Sequence, residues 1–232
     1  MLAAATAVAP AQAPAAPEVL DRVVAVVNNH PILWSDISSE IRFAVLDPED
    51  VNGTATPQRA LQELISRRLI QQQIRQEDAN TALPSDDEVR ARVVELRKEL
   101  PACVRLNCTA DAGWQTFLKT SGLTSEQVEH YIRLRLEILR FIEIRFRQGI
   151  RIAPEEIQAY YRDKLLPQYG KGAQAPLLST VSSRIEEILL EEKVNVLFGN
   201  WLDNLRTQGD VEILDSALES GSETSAGSGP VE

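Results

Sequence analysis

Aromatic residues are scarce, at 5% of 232 residues, so aliphatic side chains must build most of any core. Basic residues are outnumbered: 24 Lys and Arg stand against 34 Asp and Glu, a formal net charge of −10. Phosphate-backbone binding draws its affinity from clustered Lys and Arg. The charge therefore argues against a nucleic-acid partner, and it gives no attraction to an anionic membrane surface. No stretch reaches the ~20 apolar residues of a membrane span. Histidine and cysteine number two each, His30 and His130, Cys103 and Cys108. A zinc site needs about four such ligands, and here no second pair lies near the first. No P-loop, Gly-x-Gly-x-x-Gly, Gly-x-Ser-x-Gly or His-Glu-x-x-His occurs. These absences imply no metal, no cofactor and no catalytic residues. The acidic pairs do not replace them. Asp86-Asp87 and Glu155-Glu156 fall in first helical turns, where carboxylates suit the dipole, and Glu186-Glu187 and Glu191-Glu192 fall mid-helix.

What is present reads as a globular, mainly α chain: 44% hydrophobic and 25% charged residues. Residues 1–18 carry a small apolar run ending in Ala11-Gln12-Ala13, the small-x-small form of a signal-peptidase site. They are expected to be a secretory-signal remnant or a disordered leader. Arg22 to Val27 and Ile32 to Trp34 flank Asn28-Asn29-His30-Pro31, a hairpin pattern whose turn type stays open. Ser35 is expected to cap a first helix. Thr56-Pro57 opens a second, with an apolar stripe from Leu61 to Ile74. Ser85-Asp86-Asp87-Glu88 and Thr124-Ser125-Glu126-Gln127 are capping boxes. The second opens a long helix to about Gln148 that carries two apolar stripes, so more than one side should be covered.

A helix follows Ala153-Pro154. Residues 166–178 have linker chemistry, and a last long helix runs from about Thr180 to Arg206. Val211 to Leu214 alternates like a strand. A lone hairpin is marginal in water, so this strand is predicted to pair with Val23–Val27 and join the two ends of one unit, residues 19–214. Residues 215–232 are expected to be a disordered acidic tail.

Cys103 and Cys108 read either as a local disulfide or as two reduced thiols in a helix connection. Arg133, Arg135, Arg140, Arg145 and Arg147 on the long helix read as a solvated, ion-paired face or as contacts for acidic or C-terminal groups of a partner. Aromatics at helical spacing are usually core. Trp114, Phe117, Phe141, Tyr160 and Tyr161 are nevertheless the candidates for lining a groove, because an aromatic ring offers large apolar contact at low entropy cost.

The order of parts resembles the SurA family of periplasmic chaperones. Val23-Val-Ala-Val-Val-Asn-Asn29, Ile32-Leu33 and Ser35-Asp36-Ile37 are similar to the family's opening. Leu64-Ile65 with Leu69-Ile70-Gln71 is similar to its second long helix, and Ile150 to Ile157 with Tyr160-Tyr161 looks like the lead into its parvulin-type isomerase domain. The family would insert that domain, with paired histidines and a nearby Cys or Asp, where this chain has only 166–178. The resemblance thus implies a chaperone core without an isomerase. It would be periplasmic or otherwise secreted, would bind unfolded secreted or outer-membrane polypeptide clients, and leaves room for a homodimer. The alternatives are an active prolyl isomerase of that family and a non-catalytic docking subunit.

Overall fold

The computed structural model describes residues 21–48, 55–77, 82–169 and 175–219. The expected leader, residues 1–18, and most of the expected tail lie outside the described residues. A hairpin of β1 (Val23–Val27) and β2 (His30–Leu33) leads into α1 (Trp34–Phe43), α2 (Pro57–Glu77) and α3 (Asp86–Glu99). Then come α4 (Pro101–Leu106), α5 (Asp111–Ser121), α6 (Ser125–Phe146) and α7 (Pro154–Tyr160). The chain closes with α8 (Leu178–Gln208), β3 (Val211–Ile213) and the single-turn α9 (Ser216–Glu219).

The hairpin turns on Asn28 and Asn29, at φ 47° and 66°. Two successive positive φ values are those of a type I′ turn, which Asn tolerates better than other side-chain-bearing residues. His30 and Pro31 belong to β2, not to the turn, opposite Val27 and Val26. β3 pairs antiparallel with β1, with Ala25 opposite Ile213 and Val27 opposite Val211, so the strand order is β2-β1-β3. The mainly α architecture with a terminal-strand pairing expected from the sequence is the one found. Asn28 ties the turn down: its N–H donates to the Asp210 carbonyl, its Oδ1 accepts the Asp210 N–H, both at 2.8 Å, and its Nδ2 donates to Gln72.

The structure corrects or adds to the expected local structure at three places. Ser35 is not a cap: α1 starts at Trp34, and the Asp36 carboxylate accepts the Leu33 N–H at 2.9 Å. The cysteine segment holds a short helix, α4, ended by Asn107 in the left-handed region at φ 53°. Within the expected tail, Ser216–Glu219 forms α9, which folds back and buries Leu218 beside α2. An apolar residue within reach of an unfinished core overrides the polar composition around it.

Three apolar clusters result. Val24, Val27, Ile32, Ile37, Leu61 and Ile65 pack the sheet on α1 and α2. Val89, Leu96, Leu100, Phe117, Leu118, Val128 and Ile132 pack α3 to α6. Ile70, Ile74 and Phe141 take Phe198, Trp201 and Leu202 of α8. Cys103 and Cys108 are joined as a disulfide inside the second cluster.

Both capping boxes form. At α3 the Ser85 N–H donates to Glu88 at 2.8 Å and the Glu88 N–H donates back to Ser85 at 3.3 Å. Arg140 of α6 reaches the same carboxylate and donates to the Leu83 carbonyl. The Ser85 backbone, the Ser85 hydroxyl and Arg140 together hold the Glu88 carboxyl below its ordinary range. The folded value lies below the unfolded one of about 4.3. The stabilisation is thus complete above that pH and drains away as pH falls through the folded value. Thermal melts stepped from pH 6 to pH 3 should show an acid limb that flattens in Glu88→Gln. An identical limb in the variant would assign the loss elsewhere.

Candidate functional site

A cleft of about 480 Å³ opens between α1, α2, α6 and α8. Its apolar surface comes from Ala44, Ile70, Ile138, Leu139, Phe198 and Leu202. It exists because α8 is 31 residues long yet buries only Ile185 completely. Its C-terminal half meets α2 and α6 through Phe198, Trp201 and Leu202, and the rest lies more openly along α6 and α7. Two smaller recesses, of about 340 and 380 Å³, continue along α8. The first shares Leu139 with the main cleft, and the second is bordered by Ile150, Val196 and Leu197. Leu139 is 58% exposed and Val196 62%. Such side chains leave apolar area uncovered along one track.

Beside the apolar floor lies a polar knot. Arg67 of α2 donates two parallel hydrogen bonds, 2.6 and 2.5 Å, to the Glu40 carboxylate of α1. The Glu40 side chain is 5% exposed and that of Arg67 18%. Burial works against the Arg67 charge, but the hydrogen bonds and charge of Glu40 outweigh it and hold the guanidinium above its ordinary value. Tyr131 stacks on Phe43 at 4.6 Å between ring centroids, while Arg67 and Arg135 each lie 5.6 Å from its ring centre. Arg135 donates to the Tyr131 hydroxyl at 2.9 Å. Burial pushes the Tyr131 phenol up, against the pull of Arg135. Among the described residues of the cleft none is arranged as a nucleophile with its base; its apolar floor and charged walls can hold and orient a chain.

The five aromatics expected to line a groove do not come together. Trp114 and Phe117 stack on one another at 5.2 Å inside the α3–α6 core, and Phe141 is buried beneath α8. A ring with no exposed face cannot receive a chain, so these three are corrected to core positions. Tyr160 and Tyr161 are half-buried where α7 ends, and the Tyr161 hydroxyl donates to the Pro176 carbonyl at 2.7 Å. His30 and His130 are exposed on separate elements. The arginines of α6 pair mainly across helices: Arg133 with Asp86, Arg140 with Glu88, Arg145 with Glu77. Sequence reasoning missed Phe198, Arg206 and the open role of Leu139. The available signal was the pair of long helices, α6 and α8, with more apolar positions than one interface can cover.

Sequence comparison brings in known proteins. The chain is 26% identical over 148 residues to a Chaperone SurA of Chromobacterium violaceum, covering 62% of this chain and 33% of that protein. It is 23% identical over 216 residues to a Chaperone SurA of Pseudomonas aeruginosa, covering 87% and 49%. The chain therefore spans half or less of the length of these curated relatives. No family model matches it. Among solved structures it is similar to a SurA-like chaperone from a Campylobacter jejuni pair, the virulence factor PEB4 and the periplasmic protein Cj1289. That similarity has a TM-score of 0.45 at 16% identity, over 84% of this chain and 99% of the other. By sequence the chain is similar to proteins named Chaperone SurA, at 26% and 23% identity, in line with the resemblance its motifs carry.

Proposed function

We propose that the chain is a periplasmic chaperone core, residues 19–214, that holds unfolded secreted or outer-membrane polypeptides and does not isomerise prolines. The observation that carries this reading is the open cleft between α1, α2, α6 and α8, continued by two recesses along α8. Extended chain segments would lay apolar side chains on Ile70, Ile138, Leu139, Phe198 and Leu202, and the charged walls would keep the loaded groove wetted. A net charge of −10 keeps loaded complexes apart in solution. The curated relatives carry the same chaperone name.

Against isomerase activity, the segment between α7 and α8, Tyr161 to Leu177, is too short for a folded insert with its own core. Neither histidine lies in it. The test dilutes a urea-unfolded outer-membrane β-barrel protein into buffer with a several-fold excess of this chain. Light scattering should fall by more than about half, since a holdase acts by stoichiometric coverage of apolar surface. Undiminished scattering would sink the reading. A short proline peptide should isomerise at the uncatalysed rate in the same preparation.

A further inference from the structure

Four arginines line the main cleft of a chain that carries ten more acidic than basic groups: Arg59, Arg67, Arg135 and Arg206. Two of them are occupied. Arg67 holds Glu40 in a paired hydrogen bond, and Arg59 holds Glu63 at 3.0 Å. Arg135, on the α6 wall, donates to the Tyr131 hydroxyl and makes no salt bridge among the described residues; Asp47 bears on it through its charge. Arg206, on the α8 wall, donates to the Ser66 hydroxyl at 2.6 Å and has its nearest carboxylate, Asp203, at 3.9 Å. Both residues are exposed as a whole and border the cleft, and each guanidinium carries five N–H donors in a fixed fork, more than its single hydroxyl partner takes up.

Resting on the polypeptide-holding reading, we infer that Arg135 and Arg206 receive the C-terminal α-carboxylate of a bound polypeptide, whose last apolar side chains lie on Ile138, Leu139, Phe198 and Leu202. The chemistry selects this occupant. A guanidinium fork matches a carboxylate with two parallel hydrogen bonds. A strongly acidic segment would be repelled by the net charge of −10 before it reached the cleft. A chain end brings one negative charge directly beside apolar residues, which is the mixture these walls offer. Chain-end capture of this kind gives a register that apolar contact alone lacks.

The test uses the full chain and three fluorescein-labelled decapeptides of one Phe/Leu/Tyr-rich sequence. One ends in a free carboxylate, one in an amide, and one in an amide with a Glu placed mid-sequence. Fluorescence anisotropy should show the free acid binding about tenfold or more tighter than the amide, the span expected of charge-assisted hydrogen bonds. The internal Glu should recover little of that gap. In Arg135→Gln and Arg206→Gln, with folding checked by circular dichroism, the gap should shrink to about twofold. Equal binding of acid and amide overturns the chain-end assignment and leaves the polypeptide-holding reading standing. So does a gap that survives in both variants, or full recovery by the internal Glu. If none of the three peptides binds, both fall together.

Discussion

Arg67→Met should lower the stability of the protein by about 3–5 kcal/mol, the loss typical when one partner of a buried ion pair is removed. For a chain of this size that is a fall in Tm of roughly 6–20 °C. The carboxylate of Glu40 is 5% exposed and accepts both of its short hydrogen bonds from this one guanidinium. Without Arg67 the charge is left desolvated between α1 and α2, and Tyr131 loses one of the two cations over its ring. The double variant Glu40→Leu with Arg67→Met removes the charge from both sides at similar volume. It should recover most of the loss, because well-packed apolar replacements of a buried pair are often neutral. Thermal melts of the four proteins form a double-mutant cycle. A single variant that melts within about 2 °C of the parent would show that water reaches Glu40, contrary to its burial. Recovery in the double variant would place the pair's value in fixing how α1 and α2 meet Tyr131 of α6, at the wall of the cleft, and not in net stability.

That pair shows where sequence reasoning stops. Glu40 and Arg67 look like ordinary surface charges on amphipathic helices, and only the crossing of α1 over α2 brings them together out of water. Short-range signals were legible. The capping boxes at Ser85 and Thr124, the proline start at Pro57 and the asparagine turn each use residues within four positions of one another, and each forms as expected. One long-range contact was also legible, the pairing of β3 with β1, because a hairpin needs a third strand and the sequence offered a single further strand-like segment. The cleft was not. Periodicity tells which residues a helix would bury if fully covered, but not whether a neighbour covers them. Trp114 and Leu139 both sit on apolar stripes; α3 to α6 close over the first and α8 leaves the second open. Trp114, Phe117 and Phe141 are buried for the same reason: side-chain type was used where helix placement decides.

Helix placement also makes a prediction that runs against helix propensity. In an exposed helix interior, replacing Gly by Ala stabilises by about 1 kcal/mol. Gly199, half-buried in the C-terminal half of α8, has nothing within 4 Å of an added Cβ and should follow that rule. Gly113 in α5 should do the opposite and cost about 3 kcal/mol or more, the upper end of overpacking. A Cβ there would lie 2.1 Å from the Leu106 carbonyl oxygen and 2.3 Å from that of Asn107. Both are backbone atoms at the end of α4, and that end has no slack. Asn107 is already left-handed, the disulfide closes from Cys103 to Cys108, and Arg97 holds the Cys108 carbonyl at 2.5 Å and Asp111 at 2.8 Å. Trp114 and Phe117 pin the other side of α5 in the core. The strain must therefore move a helix and not a side chain. Freeing the turn should relieve it: in a Cys103→Ser, Cys108→Ser background the Gly113→Ala penalty should shrink by about 1 kcal/mol or more, since neighbouring sites couple by that order. Urea denaturation of the four proteins measures the difference. An unchanged penalty would mean that Arg97 and the packed rings of α5, not the covalent closure, hold the α4–α5 turn against the helix.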